Sequence, residues 1–567
     1  MTTDTWTSGN GIVLRDLVPG ELRRHWVRLG YCPGQDLYSR FRAQVRDHPQ
    51  RTAVVDAQRA LCYHDLDARV RAIAAGLAET GLGPKDIIGI SVPNSWRAVA
   101  AELAVAAVGA VALPFPCRRG YREALSLLTR SRATAVITVG GAAATRLVEL
   151  HAELPFLRTV FVFGAADGER AGCRVLPEGP SEAGARFRAC PVDPEAPARI
   201  LISSGTETEP KMVAYSHNAM AGGRANYVAA LHDGTGPMSN LVLVPLASSF
   251  GSLGTSVTLA GLGATLLLRE GFDAAAALEM ITRCRPTHLF GVPTMLRRMA
   301  ECPSAPGEDT SSLQMVVSSG AALPATTART CARRFGCAVI NVYGSADGVN
   351  CHTVGKAASG SGATGWVGVP DPRVTDIRIV DATGRQLPPG RQGEIRARGP
   401  MTPLCYVNAP ELDARYRTGD GWVRTGDRGL LDQAGRLYVV DRIKQIIVRG
   451  GYNISPAEVE DALTAHPLLV EAACVPVADA DLGERLCACV VQRPGTRALT
   501  LPEINAFLAD ERGLERPKLP ELLVTLPELP LGATGKACRH TLTRLAADAC
   551  PAPSRSGRTS PGRPGPS

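Results

Sequence analysis

Short runs rich in aliphatic and β-branched residues alternate with helical stretches over much of the 567-residue chain, and no other feature limits the possible folds so strongly. Between Asp86 and Thr138 the runs IIGISV and ATAVITV flank a helical pattern from Trp96 to Val108. After Arg199 the alternation resumes with ILIS, LVLVPL, ATLLLR, THLFGV, LQMVVSS and AVINVYG. Continuous apolar runs suit strands buried on both faces, and strands separated by helices are joined by crossovers that make the sheet parallel. An α/β body of layered, doubly wound sheets reaching to about residue 400 is expected. Upstream, helix-like apolar spacing between Leu37 and Leu82 surrounds TAVVDA and ALCYHDL, which read as a hairpin.

From Val374 the texture changes to strands joined by Gly, Pro and Asp turns, as in VTDIRIVDATGRQL, GEIRARG and WVRTGDRGLLDQAGRLYVVDR, which read as a small β-barrel-like subdomain. Past Arg442 a helix at Pro456–Ala465, strands at EAACVPV and RLCACVVQR, and a helix at Pro502–Asp510 make a small α+β unit. The expected organisation is an N-terminal extension (1–30), a large domain (31–441), a small mobile C-terminal domain (442–550), and a Pro-, Ser- and Gly-rich tail (551–567) expected to be disordered.

The net charge is +8, of which the tail's Arg555, Arg558 and Arg563 supply three, leaving a modest excess that suits small anions. No basic stripe with interleaved aromatics points to nucleic acid. The longest nearly uncharged apolar run, Leu103–Leu113, falls short of the roughly 20 residues a membrane span needs and reads as a buried helix. The N-terminus lacks a basic start followed by an apolar block, so the cytoplasm is expected. The sixteen cysteines are scattered without a CxxC pair, which suits reduced, packed thiols. Oligomeric state cannot be read from the sequence.

The segment Ile200–His217, ILISSGTETEPKMVAYSH, runs an apolar strand into small and hydroxylated residues. Ser203, Ser204, Gly205 and Thr206 can offer hydroxyls and backbone N–H groups in a tight turn, and Lys211 can bring a positive charge to a polyphosphate. The spacing is not that of a P-loop, and an ordinary polar turn between strand and helix is the plain alternative.

The segment resembles the phosphate loop of the adenylate-forming ligases, a superfamily of acyl-CoA synthetases, peptide-synthetase adenylation domains and luciferase. Glu207, Thr208 and Met212 depart from its pattern, and the two lost glycines restrict the backbone. The resemblance continues in order along residues 35 to 545. Ser318–Leu323 (SSGAAL) resembles the adenine loop, with Gly320 and Ala321 against the ring. Asn341–Asp347 (NVYGSAD), with Tyr343 and Gly344, resembles the segment whose acid holds Mg2+ on the nucleotide; Asp347 and Thr206 are the implied metal residues. Asp427 resembles the ribose-binding aspartate and Arg442 its partner at ribose and phosphate, while Lys444 sits at the hinge about which the small domain turns. Lys536 in PLGATGKACR resembles the adenylation lysine.

The resemblance implies attack of a carboxylate on the α-phosphorus of Mg-ATP, giving acyl-AMP and pyrophosphate. Lys536, Lys211 and Arg442 are the implied catalytic residues, Lys536 acting by electrostatic stabilisation. The acyl group then passes to an acceptor. Coenzyme A or a carrier-protein thiol is one possibility. The run SSGTETEPKMVAYSH is similar to stand-alone amide synthetases of aminocoumarin-type antibiotic pathways, and favours an amine. Ser248 stands where relatives often have His, which leaves His217 as an alternative base beside a structural reading of it. A non-catalytic nucleotide-binding relative and a luciferase-like oxygenase are the readings from other classes. Residues 248–252, 290–294 and 348–351 are expected to line the acid pocket, and their small, apolar character suits an aromatic or unsaturated acid.

Overall fold

Neighbouring residues of the strand Ile87–Ser91 enter different cores: Ile88 and Ile90 pack into one, Ile87 into another. The same division separates Ile137 from Val136, Val242 from Leu241 and Val317 from Val316. This is the period-two alternation of strands covered on both faces. The computed structural model describes residues 5–117, 121–164, 172–203, 210–232, 234–352, 366–443, 447–449, 452–479, 482–532 and 537–549. Two units divide the chain, the first running to Ile443 and the second starting at Lys444.

In the first unit two eight-stranded sheets carry the alternation. One runs in the order Cys405–Tyr406, Met212–Ser216, Pro197–Ile202, Val111–Pro114, Ile87–Ser91, Ala135–Val139, Thr159–Phe163, Cys173–Leu176. The other runs Asn350–Cys351, Ala338–Gly344, Met315–Ser319, His288–Gly291, Ser239–Val242, Thr265–Leu268, Thr52–Val55, Ala60–Cys62. Helices Leu37–Asp47, Tyr63–Ala78 and Trp96–Ala107 share one core with the facing sides of both sheets, through Phe41, Leu66, Ile73, Trp96 and Leu103. Helices Tyr121–Ser131 and Ala142–Glu153 cover the outer face of the first sheet; Ala274–Cys284, Pro293–Glu301 and Ala325–Phe335 cover that of the second. Each fully buried Leu or Ile in these layers contributes about 2 kcal/mol.

The run Leu103–Leu113 is not one helix. The helix ends at Ala107, Gly109 takes φ +79°, and the strand Val111–Pro114 follows. The Ala110 N–H donates to the Val105 carbonyl and the Gly109 N–H to that of Ala106, a Schellman end that needs a residue able to enter the left-handed region. Among the described residues no helix is long and apolar enough to cross a membrane.

A five-stranded antiparallel sheet of Trp366–Gly368, Leu437–Arg442, Val423–Leu431, Gly393–Arg398 and Asp376–Val380 completes the described part of the first unit. Its N-terminal segment pairs Thr5–Thr7 with Val13–Arg15 and adds the helix Gly20–Arg28. Leu17 N–H donates to the Leu404 carbonyl, and buried Arg23, gripped by Asp16, donates through Nη1 to the Thr402 carbonyl.

The second unit has its own core and a sheet of Tyr452–Ile454, Ile447–Arg449, Gly483–Gln492 and Leu469–Asp479, with Leu522–Thr525 beside Gly483–Gln492. The helix Pro456–Thr464 is N-capped by Ser455. The helix expected at Pro502–Asp510 spans Leu501–Ala506 and continues as a π-helical turn, Phe507–Glu511. The tail from residue 551 lies outside the described residues.

Candidate active site

The phosphate-loop segment is a hairpin connection. Strands Pro197–Ile202 and Met212–Ser216 run antiparallel with Ile202 opposite Met212, and the Ser203 N–H donates to the Lys211 carbonyl at 2.9 Å. The segment therefore links strand to strand, which corrects the plain alternative of a polar turn between strand and helix. Ser203 Oγ is buried without a hydrogen-bond partner among the described residues. Ser204, Gly205 and Thr206 lie outside the described residues.

Lys211 Nζ sits 3.7 Å from the ring centroid of Tyr416 and 5.6 Å from that of Tyr406. A cation between aromatic faces is held without being neutralised. The Tyr406 hydroxyl donates to Asp347 Oδ1 at 2.7 Å, so Lys211 and Asp347 meet through one tyrosine. Burial, and then the Asp347 charge, push the Tyr406 phenol well above its ordinary range and keep it a donor. The loop bearing Asp347 is fixed on both sides: the Tyr215 hydroxyl donates to the Ala346 carbonyl at 2.8 Å, and the Ser345 N–H to that of Val349 at 3.1 Å. Burial pushes the Tyr215 phenol up to about 12. Gly348 has φ +92°, and a Cβ there would lie 2.3 Å from Pro403 Cδ.

Strands Met315–Ser319 and Ala338–Gly344 are parallel, with Ser318 beside Asn341 and Ser319 beside Val342. Their carboxyl ends deliver Gly320 and Ala321 from one strand and Tyr343 and Gly344 from the next, the end of an open α/β sheet where ligands bind. Gly320 has φ +94°. Ser318 Oγ and Asn341 Oδ1 are buried without partners among the described residues. Tyr343 donates its hydroxyl to Asp427 Oδ2 at 2.5 Å, and Asp427 is itself buried. Asp427 stands opposite Arg442 across two antiparallel strands; the Arg442 side chain, like Lys444 and Lys536, lies outside the described residues. Leu531 and Ala537, which bracket the Lys536 loop, form an antiparallel bridge.

Among the described residues no three His, Cys, Asp or Glu come together as a metal cage. The single carboxylate of Asp347 fits Mg2+, which keeps waters and takes phosphate oxygens with only one or two protein carboxylates.

A family model for AMP-binding enzymes matches residues 41–407, and one for the AMP-binding enzyme C-terminal domain matches residues 458–536. The chain belongs to the AMP-binding enzyme family. This AMP-binding enzyme is 30% identical over 547 residues to 2-hydroxy-7-methoxy-5-methyl-1-naphthoate--CoA ligase of Streptomyces carzinostaticus, covering 93% of this chain and 96% of the relative. It is 31% identical over 551 residues to a Streptomyces salicylyl-CoA synthase / salicylate adenylyltransferase, covering 92% and 96%. Its fold matches the structure of the amide bond synthetase McbA from Marinactinospora thermotolerans with TM-score 0.77 and 29% identity, covering 90% of this chain and 99% of that one. The AMP-binding enzyme is thus an acyl-adenylate-forming ligase that uses ATP.

Two residues of this arrangement escape sequence reasoning: Tyr406, on a two-residue strand opposite Val213, and Tyr416, at the end of the helix Pro410–Tyr416. Ser248 caps its own loop, donating to the Pro245 carbonyl and accepting from the Gly251 N–H. His217 is fully buried, its Nδ1 accepts from the Leu37 N–H at 3.1 Å, and burial lowers its pKa to about 4. Its ring is a structural acceptor, which removes it as the alternative base.

Proposed function

We propose that this ligase activates an aromatic or unsaturated carboxylic acid as its acyl-adenylate and transfers the acyl group to an amine, forming an amide. The observation that carries the reading is the likeness in fold and sequence to the amide bond synthetase over nearly the whole of both chains, joined to the SSGTETEPKMVAYSH loop. A carboxylate oxygen attacks the α-phosphorus of ATP, pyrophosphate leaves, and the amine then displaces AMP from the mixed anhydride. Lys211, held against two tyrosine rings, presents its charge to the polyphosphate with little reorganisation. Asp347, with Thr206, would hold Mg2+, which shields phosphate charge when bound. Asp427, oriented by Tyr343, accepts from the ribose hydroxyls, with Arg442 as its partner there. Gly320, Ala321, Asn341 and Gly344 bound the adenine side, and Ser203, Ser204 and Gly205 the phosphate side. Lys536 neutralises charge at the α-phosphate during adenylation, and the small domain turns about Lys444 between the half-reactions.

Transfer to coenzyme A is the second reading, favoured by the 30% identity to the naphthoate--CoA ligase. Acid-dependent exchange of label between pyrophosphate and ATP tests adenylation, with exchange expected in the wild type and lost in Lys536→Ala. Absence of exchange across a broad acid panel overturns it. Offering the activated acid either an amine panel or coenzyme A, with mass detection of the product, decides the acceptor.

A further inference from the structure

Arg224 is a buried cation whose Nε and Nη1 are unsatisfied among the described residues. It begins the helix Arg224–Ala230 and is 5% exposed. The five residues before it, Ala219–Gly223, form a fully buried π-helical turn, a geometry concentrated at functional sites. A Cβ on Gly222 would lie 2.8 Å from Cys32 Cα, and one on Gly223 2.3 Å from Met401 N. Backbone thus packs on backbone and fixes where Arg224 enters the interior.

The guanidinium lies against the Tyr215 ring, with Cζ 5.5 Å from its centroid, and Nη2 donates to the Ser249 carbonyl at 2.7 Å. Nε and Nη1 are buried and, among the described residues, make no well-formed hydrogen bond, the Tyr215 hydroxyl being the other polar group beside the guanidinium. Arg199 makes an instructive contrast: it donates to the Leu246 carbonyl of the same loop, and its charge is matched by buried Glu102. Arg199 is thus paired with an acid, whereas the neutral Ser249 carbonyl does not compensate the Arg224 guanidinium, for which no acid partner is found among the described residues. An uncompensated buried charge costs several kcal/mol, a penalty that a bound anion removes.

We propose that Arg224 is a specificity-determining residue that receives a second oxyanion of the acid, so that the preferred substrate is an aromatic or unsaturated acid bearing a further carboxylate. The inference rests on the reading of residues 248–252 as a wall of the acid pocket. A carboxylate approaching one edge of the planar guanidinium meets Nε–H or Nη1–H together with the positive charge, and the Tyr215 ring covers the cation from one side.

The test uses the full chain and matched acids: benzoate against phthalate, isophthalate and terephthalate, and 2-naphthoate against naphthalene-2,6-dicarboxylate. The readout is the ratio of kcat/KM in pyrophosphate exchange, dicarboxylate over parent acid. At least one ratio is expected to exceed about tenfold in the wild type, to fall to about one in Arg224→Gln, and to be partly kept in Arg224→Lys. Ratios near one throughout the wild-type panel, or equal losses on both acids of a pair in both variants, overturn the proposal and leave Arg224 a loop-holding residue. If no acid supports exchange, the proposed function falls and thermal stabilisation by the same acids decides Arg224 separately. Stabilisation by a dicarboxylate but not its parent, present in the wild type and weakened in Arg224→Lys, upholds the site; equal or absent stabilisation overturns it.

Discussion

Tyr406 donates its hydroxyl to Asp347 Oδ1 at 2.7 Å while its ring lies 5.6 Å from Lys211 Nζ, so one side chain touches both an acid and a base that sequence reasoning assigns to Mg-ATP. The hydroxyl and the ring perform separable tasks, and substitution can separate them.

Tyr406→Phe keeps the ring and deletes the donor. Hydrogen bonds to charged groups are worth about 1.5–3 kcal/mol, so the KM for Mg-ATP in pyrophosphate exchange is expected to rise about tenfold or more. The Mg2+ concentration giving half-maximal rate is expected to rise with it. An unchanged Mg2+ titration removes Tyr406 from the metal position.

Tyr343→Phe is the corresponding test at Asp427. Losing the 2.5 Å hydrogen bond removes one of the constraints on the carboxylate, and a rise of roughly tenfold in the KM for ATP is expected, with little change in the KM for the acid. Competition by AMP analogues lacking the ribose hydroxyls shows whether the loss lies there: the variant is expected to discriminate against them less than the wild type does.

Gly348→Ala places a Cβ 2.3 Å from Pro403 Cδ on a backbone with φ +92°, directly after Asp347. Strain of this kind costs about 1–3 kcal/mol. Urea unfolding is expected to show a loss of that size, and exchange activity to fall further than stability alone accounts for. Wild-type stability and activity in this variant contradict the described loop.

Burial lowers the pKa of His217 and of His352 to about 4, from 6.5. Above pH 6.5 both rings are neutral folded or unfolded, and they add no pH dependence. Between pH 6.5 and 4 the unfolded chain takes up protons that the folded chain refuses, so stability falls with pH, by up to about 3 kcal/mol per histidine. Below pH 4 the effect levels off. Urea midpoints between pH 7.5 and 5 are expected to fall, and His217→Asn, which keeps an acceptor for the Leu37 N–H, to flatten the slope.

The layers are legible because strands buried on both faces carry near-continuous apolar centres, as IIGISV, LVLVPL and the MVV of LQMVVSS do. The register of Asp427 opposite Arg442 was not readable, yet both residues could be named from the segments around them. Tyr406 and Tyr416 stayed hidden for a physical reason. Their importance comes from what sheet pairing and a short helix carry them to, and a lone tyrosine in YVNAPELDARY has no period that announces a cation. Arg224 was hidden in the opposite way, because an arginine after AMAGG reads as solvated, and only packing shows that it is buried. The Leu103–Leu113 run misled because a helix end and a strand joined by glycine have the same apolar content as one helix.

The first thirty residues would be the obvious ones to remove in engineering a smaller biocatalyst, since no motif falls within them. Yet Leu17 and Arg23 hold the carbonyls of Leu404 and Thr402, and two positions beyond Leu404 stands Tyr406. A truncated or chimeric enzyme joined at residue 31 keeps every recognisable signature and loses the brace behind its nucleotide chemistry. Domain shuffling in this chain therefore has its seam before the N-terminal hairpin.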